Sequence, residues 1–154
     1  MNSSASMAQQ GKINENASIK DRHSIIVQQP IDHVWSLITD ISRWTEWNAN
    51  ISNVSIDGTI AAGTSFKFRI GRMMTHSQIQ LFEAPHRFSW TGKNALVKRI
   101  YTWSLEKDDD QTIITVATSL QGVFTVLIEN HRSVYNELIN WLESLKIKAE
   151  EGPL

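Results

Sequence analysis

Between residues 51 and 120 the sequence runs through alternating, turn-bounded segments with no helical period between them, and a long helical stretch then closes the chain. This order constrains the fold more than any single residue does. Strands joined in succession by short turns pair antiparallel, because a parallel pair needs a long crossover. Residues 51–56 alternate and stop at Asp57-Gly58, a turn signal. Residues 63–70 put Phe66, Phe68 and Ile70 on one face and Lys67 and Arg69 on the other. Residues 74–82 end at Glu83-Ala-Pro85, and residues 86–90 end at Thr91-Gly92-Lys93. Residues 96–105 and 111–120 flank a solvated loop at Asp108, Asp109 and Asp110.

The β-branched stretch at 24–29 predicts one more strand, stopped by Pro30. Asp32 is placed to cap a helix through Thr39, with Val34, Trp35 and Ile38 on one face. A second short helix over 41–48 carries Trp44 and Trp47, with Asp40 as its cap. The closing helix spans 123–149. Leu127, Val134, Leu138 and Leu145 recur at helical spacing, with Ile128, Tyr135, Trp141 and Leu142 beside them. The expected order is β-α-α-β-β-β-β-β-β-α, an α+β fold in which a curved seven-stranded antiparallel sheet wraps a long C-terminal helix. A bent sheet against a straight helix leaves room at one end, which is the basis for a pocket. Residues 1–18 are polar and aperiodic, so they are expected as a disordered tail ahead of a single domain over 19–150.

Composition narrows the function classes. Lys+Arg 15 against Asp+Glu 16 gives a net charge of -1, which argues against a general electrostatic grip on nucleic acid or anionic lipid. The absence of cysteine excludes disulfides, thiolate catalysis and cysteine zinc sites. The first ten residues hold no apolar stretch of signal-peptide kind, and the apolar runs are too short to span a bilayer. A cytoplasmic protein without stable membrane insertion is the expectation. No G-x-S-x-G elbow, phosphate loop, dinucleotide fingerprint or metal-spaced histidine pair occurs, so neither a cofactor nor a metal is expected. The sequence carries no signal for oligomeric state.

Several segments carry a family resemblance. Pro30-Ile-Asp-His-Val-Trp-Ser-Leu-Ile-Thr-Asp40 and Trp44-Thr-Glu-Trp47-Asn48 resemble the opening of the START-like (SRPBCC) superfamily. Gly63-Thr-Ser-Phe66, Pro85-His-Arg-Phe-Ser-Trp90, Tyr101-Thr-Trp103-Ser-Leu105 and Leu142-Glu-Ser-Leu-Lys146 with Glu150 extend the match, which runs from about Ser24 to Glu150. The polyketide cyclase/dehydrase and lipid-transport branch is the most similar. The resemblance implies a helix-grip fold with an elongated cavity. Members bind sterols, lipids, polyketides and plant hormones, and some are enzymes. No catalytic residue transfers with it, because these motifs are packing and turn residues.

The residues themselves nominate candidates. His131 lies on the stripe of the closing helix, where it would face a ligand or act as an acid/base. It could equally be a core histidine bonded to a sheet hydroxyl, or sit at the stripe's exposed edge. Arg99 and Tyr101 share a strand face with Trp103 and Leu105. An inward Arg99 needs an anion from a ligand or a protein acid; at the rim it would reach water instead. Phe66, Phe68, Phe88 and Trp90 are candidates for cavity wall or plain core. Thr118 offers a hydroxyl on the inner face of the last strand, opposite a more polar face holding Thr115 and Ser119. Leu127 and Tyr135 complete the ligand-binding candidates. Trp44 and Trp47 either gate the pocket or plug the sheet's open end. His76 faces cavity or solvent according to register; His23, His33 and His86 lie near element ends. The leading expectation is a binding or carrier protein for a hydrophobic, lipid- or polyketide-like molecule. The alternatives are a cofactor-independent cyclase/dehydratase using His131 or His76 with Tyr101 or Arg99, and an Hsp90-activator-like interaction module.

Overall fold

The computed structural model describes residues 3–122 and 130–152. Its elements run α1 (Ser4–Gln9), β1 (Ile19–Val27), α2 (Ile31–Thr39), a 3-10 helix (Ile41–Glu46), β2 (Ile51–Ile56), β3 (Ser65–Ile70), β4 (Met73–Glu83), β5 (Arg87–Lys93), β6 (Lys98–Asp108), β7 (Gln111–Gln121) and α3 (His131–Glu150). The sheet has seven strands in the order β1-β7-β6-β5-β4-β3-β2, all antiparallel. Strands β2 to β7 form a meander, as the succession of short turns requires, and β1 joins its far edge beside β7.

Alternation assigns the two faces. Cross-strand partners share a face, so each register line is a row of side chains. One concave row reads Phe66, Ser77, Gly92, Arg99, Leu120. The next reads Ile79, Trp90, Tyr101, Thr118, and the one beyond it Phe88, Trp103, Val116. Bulges between Ser52 and Ser55 and between Ile79 and Leu81 interrupt the ladders and add bend.

Helix α3 closes the concave face with Val134, Leu138, Trp141, Leu142, Leu145 and Ala149, all buried. Asn130 and Ser133 form a reciprocal capping box that fixes its start. The expected start of this helix at 123, and the candidate Leu127, lie outside the described residues. Trp44 is fully buried and meets Phe66, Phe68, Trp90 and Trp141 with ring centroids 5.1–5.8 Å apart. It is therefore part of the packed core.

Three local expectations are corrected. Residues 3–18 do not trail away as a tail. Helix α1 packs on the convex face, with Ala8 and Ile13 buried against Ile100 and Ala117, and the Asn14 N–H donates to the Ser119 hydroxyl at 3.0 Å. The convex face thus offers apolar cover that a composition reading of the tail alone does not count. Pro30, not Asp32, occupies the N-cap position of α2; Asp32 sits in the first turn, where a carboxylate suits the helix dipole. Asp40 precedes the 3-10 helix but accepts from the Ser42 hydroxyl instead of capping a backbone N–H.

Candidate functional site

The interior divides into an aromatic end and a polar end. At the aromatic end, Trp90 lies 4.9 Å from Tyr101 in a stacked arrangement and 6.4 Å from both Trp103 and Trp141. Trp103 and Trp141 meet edge to face at 5.6 Å. Such geometries let ring edges meet ring faces and add to the gain from burial alone. The Nε1 groups of Trp90, Trp103 and Trp141 are buried without an acceptor among the described residues. Buried donors normally find partners, so these indoles are unusual.

At the polar end, the concave row replaces bulky side chains with Ser77 and Gly92. Gly92 has to be glycine: a Cβ there would lie 2.7 Å from Thr75 Cγ2 and 3.2 Å from Ser77 Oγ. The Ser77 hydroxyl is buried and unpartnered. Next in the row, Arg99 is 7% exposed. Its Nη1 donates to both Glu137 oxygens, at 3.0 and 2.9 Å, and to the Tyr101 hydroxyl at 3.3 Å. The guanidinium carbon also stands 5.7 Å from the Tyr101 ring centroid. Of the options for Arg99, the structure realises the inward one with a protein acid as partner; the rim position is not adopted. Glu137 supplies a carboxylate to the buried guanidinium, and a buried charge needs such a partner. Glu137 was not a candidate from sequence. Its place on α3, one position before Leu138 on the buried stripe, was the available signal.

The Tyr101 hydroxyl accepts from Arg99, and no acceptor for its own proton is found among the described residues. A hydroxyl polarised by a guanidinium is a strengthened donor. The arrangement can therefore hand a hydrogen bond to a ligand oxygen.

The remaining candidates separate clearly. Phe66, Phe68, Trp90, Tyr101, Trp103 and Thr118 are buried on the concave face, with the Thr118 hydroxyl donating to the Ile100 carbonyl at 2.7 Å. His131 is exposed, because it is the first residue of α3 and the stripe is buried only from Val134 onward. Tyr135 is also exposed, its ring edge-on to His23 at 5.0 Å. His76 points to the convex face and is exposed. The interior therefore brings Arg99, Tyr101 and Glu137 together and leaves the two expected acid/base histidines outside. Among the described residues, no group of three His, Cys, Asp or Glu side chains could hold a metal ion. No helix among them is long and apolar enough to cross a membrane.

The comparison with protein families agrees with this architecture: the family described as polyketide cyclase / dehydrase and lipid transport matches residues 18–144. The chain belongs to this polyketide cyclase/dehydrase family. A search of curated proteins gives no match. Solved structures show the same START-like fold at low identity. A hypothetical protein of Helicobacter pylori is 20% identical, with 88% of this chain and 90% of that one aligned at a TM-score of 0.79. A START superfamily protein of Mycobacterium smegmatis is 12% identical, with 86% and 97% aligned at 0.72. The di-domain ARO/CYC StfQ of the steffimycin biosynthetic pathway is 12% identical, with 86% of this chain but 51% of that one aligned at 0.71. As a member of the family, the protein presents the helix-grip fold associated with hydrophobic small molecules. Its interior holds the Arg99, Tyr101 and Glu137 cluster with the tryptophan cluster beside it.

Proposed function

We propose that this protein binds an apolar ring compound bearing carbonyl or hydroxyl oxygens, between the sheet and α3. The observation that carries this reading is the guanidinium-polarised Tyr101 hydroxyl at the edge of an aromatic cluster whose indole N–H groups lack acceptors. Apolar rings gain about 25 cal/mol per Å² of their own surface removed from water. The orphan donors and Tyr101 set the orientation through ligand oxygens. Glu137 holds the Arg99 guanidinium in place through two hydrogen bonds.

The test uses alizarin, a planar hydroxylated anthraquinone, as probe, with tryptophan fluorescence as readout. Saturable quenching at one molecule per chain is expected. Tyr101→Phe, which keeps the ring and removes the donor, should weaken binding by about tenfold, the scale of one hydrogen bond. Native mass spectrometry of the purified protein should show a co-purified lipophilic molecule. Absence of both a saturable signal and a co-purified species would sink the reading. Undiminished binding by Tyr101→Phe would remove Tyr101 from it.

A further inference from the structure

We propose that the convex face of the sheet carries a second site, for a small molecule bearing a polyphosphate-like anionic group. It lies across the sheet from the interior one, and its groove also borders Ser77, Gly92 and Arg99 of the concave row. Its core is a cross-strand row: Lys67 pairs with His76, His76 with Lys93, and Lys93 with Lys98. All four side chains are exposed. They line a groove of about 730 Å³, whose further wall is the start of α1 at Ser4 and Ala5.

Three observations assign an anionic ligand. The first is charge placement. The chain as a whole carries a net charge of -1, yet the groove gathers Lys67, Lys93, Lys98 and His76 around one carboxylate, Asp57. The second is the lack of internal neutralisation. Lys20, Lys146 and Lys148 each hold an acidic partner within 4 Å. Lys67, Lys93 and Lys98 hold none among the described residues. Like charges directly opposite on neighbouring strands repel, so the Lys93 and Lys98 pair is a local cost that an anion would remove. The third is the lining. The adjacent row supplies Ser65, Gln78 and Thr91, whose hydroxyl and amide groups suit phosphate oxygens.

Shape selects a small molecule over a surface or a duplex. The volume lies in the range of ligand pockets, roughly 300–1,000 Å³. Strands stand about 4.8 Å apart, so the four neighbours span about 14 Å. The α1 wall raises one side of the groove, where a bilayer would need an open face.

Titration with sodium tripolyphosphate at low ionic strength, followed by amide chemical shifts, tests the site. Saturable shifts confined to β3–β6 and α1 are expected. The Lys93→Ala/Lys98→Ala double variant should lose at least about tenfold in affinity. Lys107→Ala, a lysine at the far end of β6, should change nothing. Circular dichroism and Tm establish that each variant is folded, and Lys67→Ala provides a second disruption should the double variant not fold. Three results overturn the proposal: no saturable shift, equal losses in Lys107→Ala and the double variant, or lysine-dependent binding to phosphatidylglycerol vesicles without tripolyphosphate binding. The alizarin titration is unaffected by any of these outcomes, so the two sites fail separately.

Discussion

Gly92 shows how one side-chain-free position shapes the interior. Thr75 and Ser77 lean over it from β4, and a methyl group would collide with Thr75 Cγ2 at 2.7 Å. Gly92→Ala should therefore destabilise by about 1–3 kcal/mol, the scale of overpacking, measured by urea denaturation. Adding Thr75→Ser, which removes the clashing methyl, should recover most of that loss. Arg99 poses the complementary problem of an unpaired charge. Arg99→Met leaves the part-buried Glu137 without this partner and should cost about 1–3 kcal/mol, whereas Arg99→Met with Glu137→Leu should cost less, because the charge is removed with its partner. Near the C-terminal end of α3, Glu150 accepts from the Gln28 backbone N–H at 3.0 Å and from Lys146 at 2.6 Å. These contacts, the backbone one foremost, hold its carboxyl below the ordinary value of 4.5. A depressed folded-state pKa gives stability that is complete above the unfolded value and is lost as pH falls through the folded one. Glu150→Gln should thus lower the urea midpoint at about pH 7 and make no difference at about pH 2.

Among the elements, α1 is the one that sequence reasoning missed. A six-residue helix gains little from its own hydrogen bonds and is marginal alone. It forms because Ala8 and Ile13 find Ile100 and Ala117, while Arg87 donates to the Gln10 carbonyl at 3.1 Å. Those contacts lie on the strand face whose Thr115 and Ser119 suggested solvent. Ala8→Asp places a carboxylate where the side chain is fully buried, and it should release α1. Fast amide exchange over residues 4–14, with protection kept in β6 and β7, is the expected result. Protection unchanged in α1 would show that the packing of Ala8 does not hold the helix. By contrast, α3 was legible from its stripe of Val134, Leu138, Trp141 and Leu145, since a wide apolar face at helical period has only one way to be buried.

At the scale of the whole molecule, the basic row on the convex face and the aromatic interior place different demands on one sheet. Replacing Lys93 by Glu puts an acid between His76 and Lys98, and it should stabilise the fold by about 0.2–1 kcal/mol while abolishing tripolyphosphate binding. A urea midpoint that does not rise would show that the row carries no electrostatic cost. The strand succession, the long amphipathic helix and the family motifs were properties of the sequence by itself, because hydrophobic period and turn chemistry are local. So were the inward faces of Phe66, Trp90, Tyr101 and Trp103, which follow from alternation once the strands are granted. Tertiary structure decided the rest. Whether Arg99 met a protein acid depended on where α3 crosses the sheet, since Glu137 is 38 residues away in sequence. Whether His131 faced the interior depended on where that helix begins. The alignment of Lys67, His76, Lys93 and Lys98 depended on register, which a slip of one residue would have turned to the other face. Period and turns are written in neighbouring residues, but the meeting of distant side chains is set by register and helix placement, which exist only after the chain has folded.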